Sequence, residues 1–169
     1  DISYFTTDNL IQWAPDDAWV YSPQNILKSK SSVIRVSAQF LPIFLPVVIR
    51  LGSESTESQI LSEGDDKGKS LLYVSPTSHW AEVELKLGKL AANLSVQRQG
   101  ERRYSYGEGA FLRPYERMDG AMIYRFSVGQ FKVNMEGGAR NMLDIKDLQS
   151  VYDYPEPGRT IFLAVGLEL

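Results

Sequence analysis

Apolar and polar residues alternate with period two along most of the chain, the spacing of strands rather than of helices. The pattern is clearest at the C-terminal end. Ile161, Leu163, Val165, Leu167 and Leu169 fall on one face, and Thr160, Phe162, Ala164, Gly166 and Glu168 on the other. A final strand has to pair on both edges or leave one exposed. The pattern therefore predicts an all-β, antiparallel up-and-down barrel wall of about eight strands. The first strand covers residues 2–13 and stops at the turn-like Ala14-Pro15-Asp16-Asp17. A loop through Trp19, Tyr21 and Pro23 leads to a second strand over 30–40. Pro42 and Pro46 bracket a short reversal, and a third strand starts at Val47 and extends through the polar run 53–59. Further strands are expected over 79–87, from Leu90 through Arg102, Arg103 and Tyr104, over 117–128, and over 131–140. The turn Tyr154-Pro155-Glu156-Pro157-Gly158 precedes the last one.

The connections differ in length. Those near Pro42, Gly88 and Gly129 are short, and those near Asp16, Asp65, Gly107 and Asp147 are long. Short turns on one rim and long loops on the other describe a transmembrane barrel, with an apolar face toward lipid and a polar face toward a hydrated lumen. The polar face carries Arg, Lys, Glu, Asn and Gln on strand after strand, which a dry core would not tolerate unpaired. A soluble barrel of the lipocalin type, apolar inside, is the competing reading. The polar strand extensions and one-sided loops do not follow from it.

Composition narrows this picture only a little. The 169 residues, 1–169, read as a single barrel segment without a plug domain, and a net charge of −3 gives no reason to expect nucleic acid as partner. The absence of Cys excludes disulfides and thiolate metal sites. No apolar run is long enough for a membrane helix. The longest apolar cluster, 40–49, is interrupted by Pro42 and Pro46. A mean hydropathy of −0.23 leaves membrane strands open, because they alternate and score weakly. The chain opens within a strand and lacks the basic start and apolar core of a signal peptide, so a segment or trimmed product is expected.

The terminal motif Tyr154-x-Pro-x-Pro-Gly-Arg-Thr (Tyr154, Pro155, Pro157, Gly158, Arg159, Thr160) resembles the closing segment of TonB-dependent outer-membrane receptors. Ala139-Arg140-Asn141-Met142-Leu143-Asp144 resembles the segment where their penultimate strand meets its loop. Asp8-Asn9-Leu10-Ile11-Gln12-Trp13 with Tyr21-Ser22-Pro23-Gln24-Asn25 resembles an earlier hairpin of the same barrels. Leu169 stands where an aromatic residue is usual, and Met142 where Phe is usual. The resemblance implies a barrel of twenty-two strands with an N-terminal plug. Such a barrel imports scarce nutrients such as metal chelates, cobalamin or sugars. This chain would supply its last strands in the bacterial outer membrane. The implied partners are outer-membrane lipid, lipopolysaccharide and the rest of the barrel and plug, with TonB engaged only through parts outside this sequence. A self-contained eight-stranded structural or adhesive barrel is the alternative.

No catalytic or cofactor site is expected. His79 is the only histidine, and strand parity turns it away from Ser78 and Glu82, so no triad forms. Glu82 and Glu84 are expected to face the lumen. Asp65-Asp66 lacks the spacing of a calcium loop, and Gly107-x-Gly109 lacks the setting of a phosphate loop. Arg98, Arg102 and Arg103, just above the apolar band, are the candidate contacts for lipopolysaccharide phosphates, since Arg suits phosphate geometry. Trp13, Trp19, Tyr104, Tyr106, Tyr115 and Tyr124 are candidates for interfacial aromatic girdles.

Overall fold

Period-two alternation can bury or expose a whole face only if the register of every strand pair is kept. In the computed structural model, which describes residues 1–15, 20–146, 149–151 and 154–168, that register holds across the sheet. Among the described residues there is no helix. Eight strands form one antiparallel sheet: β1 (Ile2–Pro15), β2 (Tyr21–Phe40), β3 (Val47–Ile60), β4 (Thr77–Leu87), β5 (Leu90–Gln99), β8 (Tyr115–Val128), β9 (Phe131–Arg140) and β12 (Thr160–Glu168). Two short pairs lie in the loops, β6 (Arg102–Arg103) with β7 (Phe111–Leu112), and β10 (Gln149–Val151) with β11 (Tyr154–Pro155).

One row of paired residues, Ile161, Ala139, Gly120, Leu94, Val83, Ile49 and Phe40, crosses seven strands without a charge. The rows below it continue the face through Leu163, Gly137, Met122, Ala92, Leu85 and Val47. Ile161, Leu163 and Leu167 remain 78, 74 and 72% exposed. An uninterrupted apolar face of this extent needs an apolar solvent or a partner. On β8 it runs from Met118 to Val128. That is about 33 Å along the strand, and roughly 25 Å along the axis of a barrel whose strands tilt by ~40°. The result equals the apolar band of an outer-membrane barrel, about 25 Å tall. The long row also starts beside the last loop on β12 and ends beside the β2–β3 turn. The strands therefore lean steeply against the two rims, as barrel strands do.

The tight turns after β4 and β8 open with Gly88 and Gly129 at φ 56° and 62°. A left-handed residue there costs a glycine little and lets a two-residue loop match strand twist. On the polar face Trp80 lies over Gly52 and Phe162 over Gly138. A Cβ at those glycines would sit 2.3 and 2.7 Å from the rings.

Two expectations are corrected. First, β2 begins at Tyr21, well before residue 30. Its pairing with β3 starts only at Ser29, so Pro23 occupies a stretch that is an edge on that side, where Pro is tolerated. Second, β5 ends at Gln99, and Arg102–Arg103 form a separate pair. As expected, β12 follows the turn directly, beginning at Thr160. It pairs only with β9, and β1 only with β2, so the sheet is open among the described residues. Asp16, Asp17, Trp19, Asp147 and Leu169 lie outside the described residues.

The small dry core sits at the long-loop end. Ile60 and Leu71 pack with Leu10, Val74 and Tyr106. The loop after β3 folds back to make this core, donating Leu71 N to Ser58 Oγ and accepting Ile60 N at Lys69 O. Asn9 is left-handed (φ 55°) within β1, whose pairing with β2 keeps one register on both sides of it.

If the apolar face meets lipid, Leu94→Lys or Leu163→Lys costs about 2–4 kcal/mol near the bilayer midplane. Ser95→Lys, on the opposite face, costs less than about 1 kcal/mol. Denaturant titration in phospholipid vesicles measures both, and equal costs on the two faces would remove the lipid assignment.

Candidate functional site

The polar face is a wall of ion pairs set by register. Arg50 lies opposite Glu82 and two residues from the level of Glu84. Its Nη1 is 3.3 Å from Glu82 Oε2, its Nη2 is 3.2 Å from Glu84 Oε2, and its Nε donates to Gln39. Lys86 reaches Glu84 at 2.8 Å, and Arg35 reaches Glu54 at 2.6 Å. These groups are partly solvated, so each pair contributes at most about 1 kcal/mol. Their arrangement suits a hydrated lumen and places Glu82 and Glu84 where alternation puts them.

The closing motif and the segment after β9 bind each other. Asn141 and Asp144 have φ 50° and 54°, a left-handed conformation that Asn and Asp adopt more readily than other non-glycine residues. This turns the chain sharply and aims both side chains back across the loop base. Asn141, 4% exposed, donates Nδ2 to Ile145 O and Pro157 O at 3.0 and 3.2 Å, and its Oδ1 accepts Ile145 N at 3.1 Å. Its own amide donates to Asp119 Oδ1, which also accepts Arg117 Nε. Asp144 Oδ1 accepts Arg159 N at 3.0 Å, and Arg159 Nε donates to Met142 O. Thr160 Oγ1 donates to Gly158 O, and Tyr154–Pro155 pair with Gln149–Val151. The motif residues are thus a clamp that joins the two feet of the last loop. Beside it lies a cleft of about 310 Å³ lined by Arg117, Arg140, Glu156 and Thr160. Asparagine and aspartate three residues apart after a strand were the signal for this clamp. The Gln12 Nε2 to Tyr106 hydroxyl bond, 3.1 Å across distant loops, had none.

The three arginines do not act together. Arg98 is exposed on the apolar side, 3.7 Å from Glu116. Arg102 is buried at 3% and stacks on Tyr115, whose hydroxyl bonds Gln99. Arg103 stacks on Phe111 at 4.4 Å. His79 pairs with Arg98 and Ser53 on the outer side, away from Glu82. Of the girdle candidates, Tyr124 is outward beside Phe126 (ring centroids 5.6 Å apart) near the short-turn rim. It joins Phe40 and Phe131 there. Tyr106 and Tyr115 are engaged in the bonds above, and Trp13 stands far up β1 from Ile2.

No protein-family model and no curated protein matches the chain. Solved structures do. The ferric citrate transporter FecA in its unliganded form is similar at TM-score 0.69 and 18% identity, over 83% of this chain and 24% of that one. BauA, the ferric preacinetobactin receptor from Acinetobacter baumannii, is similar at TM-score 0.72 and 12% identity, over 98% of this chain and 26% of that one. Both are TonB-dependent receptors, the family whose closing motif this sequence resembles. At these identities the likeness is one of fold alone. The chain spans about a quarter of the length of the structures it matches.

Two outcomes test the clamp. Asn141→Ala leaves buried donors and acceptors unpaired at a cost of about 1–3 kcal/mol, and amide exchange across 142–159 accelerates about tenfold or more. The Arg159 amide, aided by the charges of Lys146 and Arg159 against slight desolvation, holds the Asp144 carboxyl below its ordinary 3.8. A lowered carboxyl stabilises the fold fully above that ordinary value and loses its contribution as pH falls through the lowered one. Exchange protection of the Arg159 amide therefore persists at pH 5 and disappears only well into acid; loss already at pH 5 would contradict the bond.

Proposed function

We propose that this chain is the C-terminal wall section of a TonB-dependent outer-membrane receptor that imports a scarce nutrient, with a ferric chelate as the first class to try. The observation that carries this reading is the open eight-stranded sheet, with an uncharged apolar band on one face and ion pairs on the other, which matches the ferric preacinetobactin receptor over 98% of this chain. In that role the outer face holds the wall in lipid and the inner face keeps the lumen wet. The clamped loops frame the mouth through which ligand enters. Plug and TonB contacts belong to other parts of such a receptor. The reading assigns no bond-making chemistry, and the two matched structures are a transporter and a receptor.

A self-contained eight-stranded barrel needs β1 and β12 to pair with each other, whereas they are the two outer strands of the sheet. The native polypeptide in outer-membrane fractions, probed with an antibody to residues 154–169, is expected at about four times the length of this chain. Deleting its gene should abolish uptake of at least one radiolabelled ferric chelate under iron limitation. A heat-modifiable band at the size of this chain would force withdrawal of the transport reading.

A further inference from the structure

Two neighbouring rows of the polar face enclose a cleft with an aromatic floor. Gly52, Trp80, Gln97 and Arg117 are paired side by side across β3, β4, β5 and β8. Two residues nearer the short turns, Arg50, Glu82, Ser95 and Asp119 form the next row on that face. The cleft between the rows, of about 490 Å³, is lined by Trp80, Glu82, Ser95, Gln97, Arg117 and Asp119. Small-molecule sites usually measure about 300–1,000 Å³. The floor is the half-buried indole of Trp80. Gly52 makes this floor possible. The indole atoms Cε2, Cζ2 and Nε1 occupy the place where a Cβ at Gly52 would stand, so the ring is laid against the wall with a face toward the cleft. The polar groups around it are held from outside. Arg50 Nη1 lies 3.3 Å from Glu82 Oε2. Asp119 Oδ1 accepts Arg117 Nε at 3.0 Å and the Asn141 amide at 2.8 Å, which ties the cleft to the clamp of the last loop.

We propose that this cleft is a subsite for a neutral sugar ring of the imported solute: a pyranose stacks on Trp80, and its hydroxyls bond Glu82, Gln97, Arg117 and Asp119. Three features carry the assignment. The face of an indole takes the apolar C–H face of a pyranose. Each sugar hydroxyl both donates and accepts, and the cleft offers acceptors at Glu82 and Asp119, donors at Arg117, and both at Gln97 and Ser95. The charges balance, Arg50 and Arg117 against Glu82 and Asp119. A bare ion therefore gains no net attraction there, and a neutral polyol has no charge to desolvate. A second cleft, of about 310 Å³, shares Arg117 with the first and runs to Thr160 at the foot of the last loop. More than one ring can thus follow the wall. A free oligosaccharide and a ferric chelate decorated with sugar present the same ring, and the ring is what the cleft reads. The proposal rests on the receptor reading above and narrows its solute to one that bears a sugar.

The test is calorimetric titration of the native full-length protein in mild detergent. The probes are neutral oligomers of glucose, galactose, mannose and xylose, a catecholate ferric chelate carrying glucose, and its sugar-free parent. At least one sugar-bearing probe should bind, and Trp80→Ala should weaken it about tenfold or more. Trp80→Phe keeps a ring and should lose less. Gln97→Ala leaves the floor and the ion pairs in place and should weaken binding about threefold or more. Arg125→Gln, elsewhere on the polar face, should bind as the parent does. Binding of an oligosaccharide identifies the source as free sugar. Binding of the glucosylated chelate alone, well above its parent compound, identifies a decorated chelate. Either result supports the site. No binding by any sugar-bearing probe, equal binding of the two chelates with no oligosaccharide bound, or undiminished binding in Trp80→Ala overturns it. Heat-modifiable migration shows whether each variant has formed its barrel. If Trp80→Ala has not, Gln97→Ala carries the test, and affinity equal to the native protein overturns the site. Gene-dependent chelate uptake without sugar binding defeats the site alone, and a protein absent from the outer membrane defeats the reading beneath it.

Discussion

Everything in this structure depends on satisfying backbone hydrogen bonds between strands rather than within them. In hydrocarbon an unpaired N–H or C=O costs several kcal/mol, so a strand can face lipid only beside a neighbour in register. Period-two geometry then divides the side chains between two solvents. The consequence is visible in the row from Ile161 to Phe40, where seven strands agree. A slip of one residue in any of them would turn Glu82 or Arg50 onto the apolar face and Val83 or Ile49 onto the polar one. The charges on the polar face therefore contribute more to register than to stability: each partly solvated pair is weak, but moving one onto the apolar face is expensive.

Where the ladder stops, side chains take over the same duty. The last loop leaves β9 and returns to β12 through a stretch without continuous strand pairing. Asn141, Asp144, Arg159 and Thr160 satisfy its amides and carbonyls one by one. Left-handed Asn141 and Asp144 are the residues that make the reversal sharp enough for this. The loops nearer β3 use another device, a small apolar cluster around Ile60 and Leu71. The rim is thus fastened in two ways, polar at one end of the sheet and apolar at the other.

The eight main strands were legible because alternation is a local property, and their ends were not. Residues 21–29 looked like loop because Ser, Pro and Asn occur there, and only the absence of β3 alongside makes Pro23 acceptable. The tracking of Arg98, Arg102 and Arg103 along one strand failed at Gly100, where β5 ends and the chain turns Arg102 inward against Tyr115. The resemblance at residues 154–160 marked the right residues without explaining them. Their partners at 141–145 become intelligible once both feet of the loop stand side by side. Contacts such as Gln12 with Tyr106 join loops ninety-odd residues apart in sequence, and no local pattern encodes them.

The strand order has a kinetic meaning. Each main ladder joins a strand to the next long strand in the chain, and the widest gap bridged is that from Arg140 to Thr160. Loop-closure entropy grows only as the logarithm of loop length, about 0.6 kcal/mol per doubling, so the longer connections of such a sheet cost little more to close than its tight turns. The outer edges of β1 and β12 fall outside this scheme. Among the described residues these two edges are unpaired, and a bare edge is the part of any sheet that invites another strand. Closing the ladders is local; covering the edges is not.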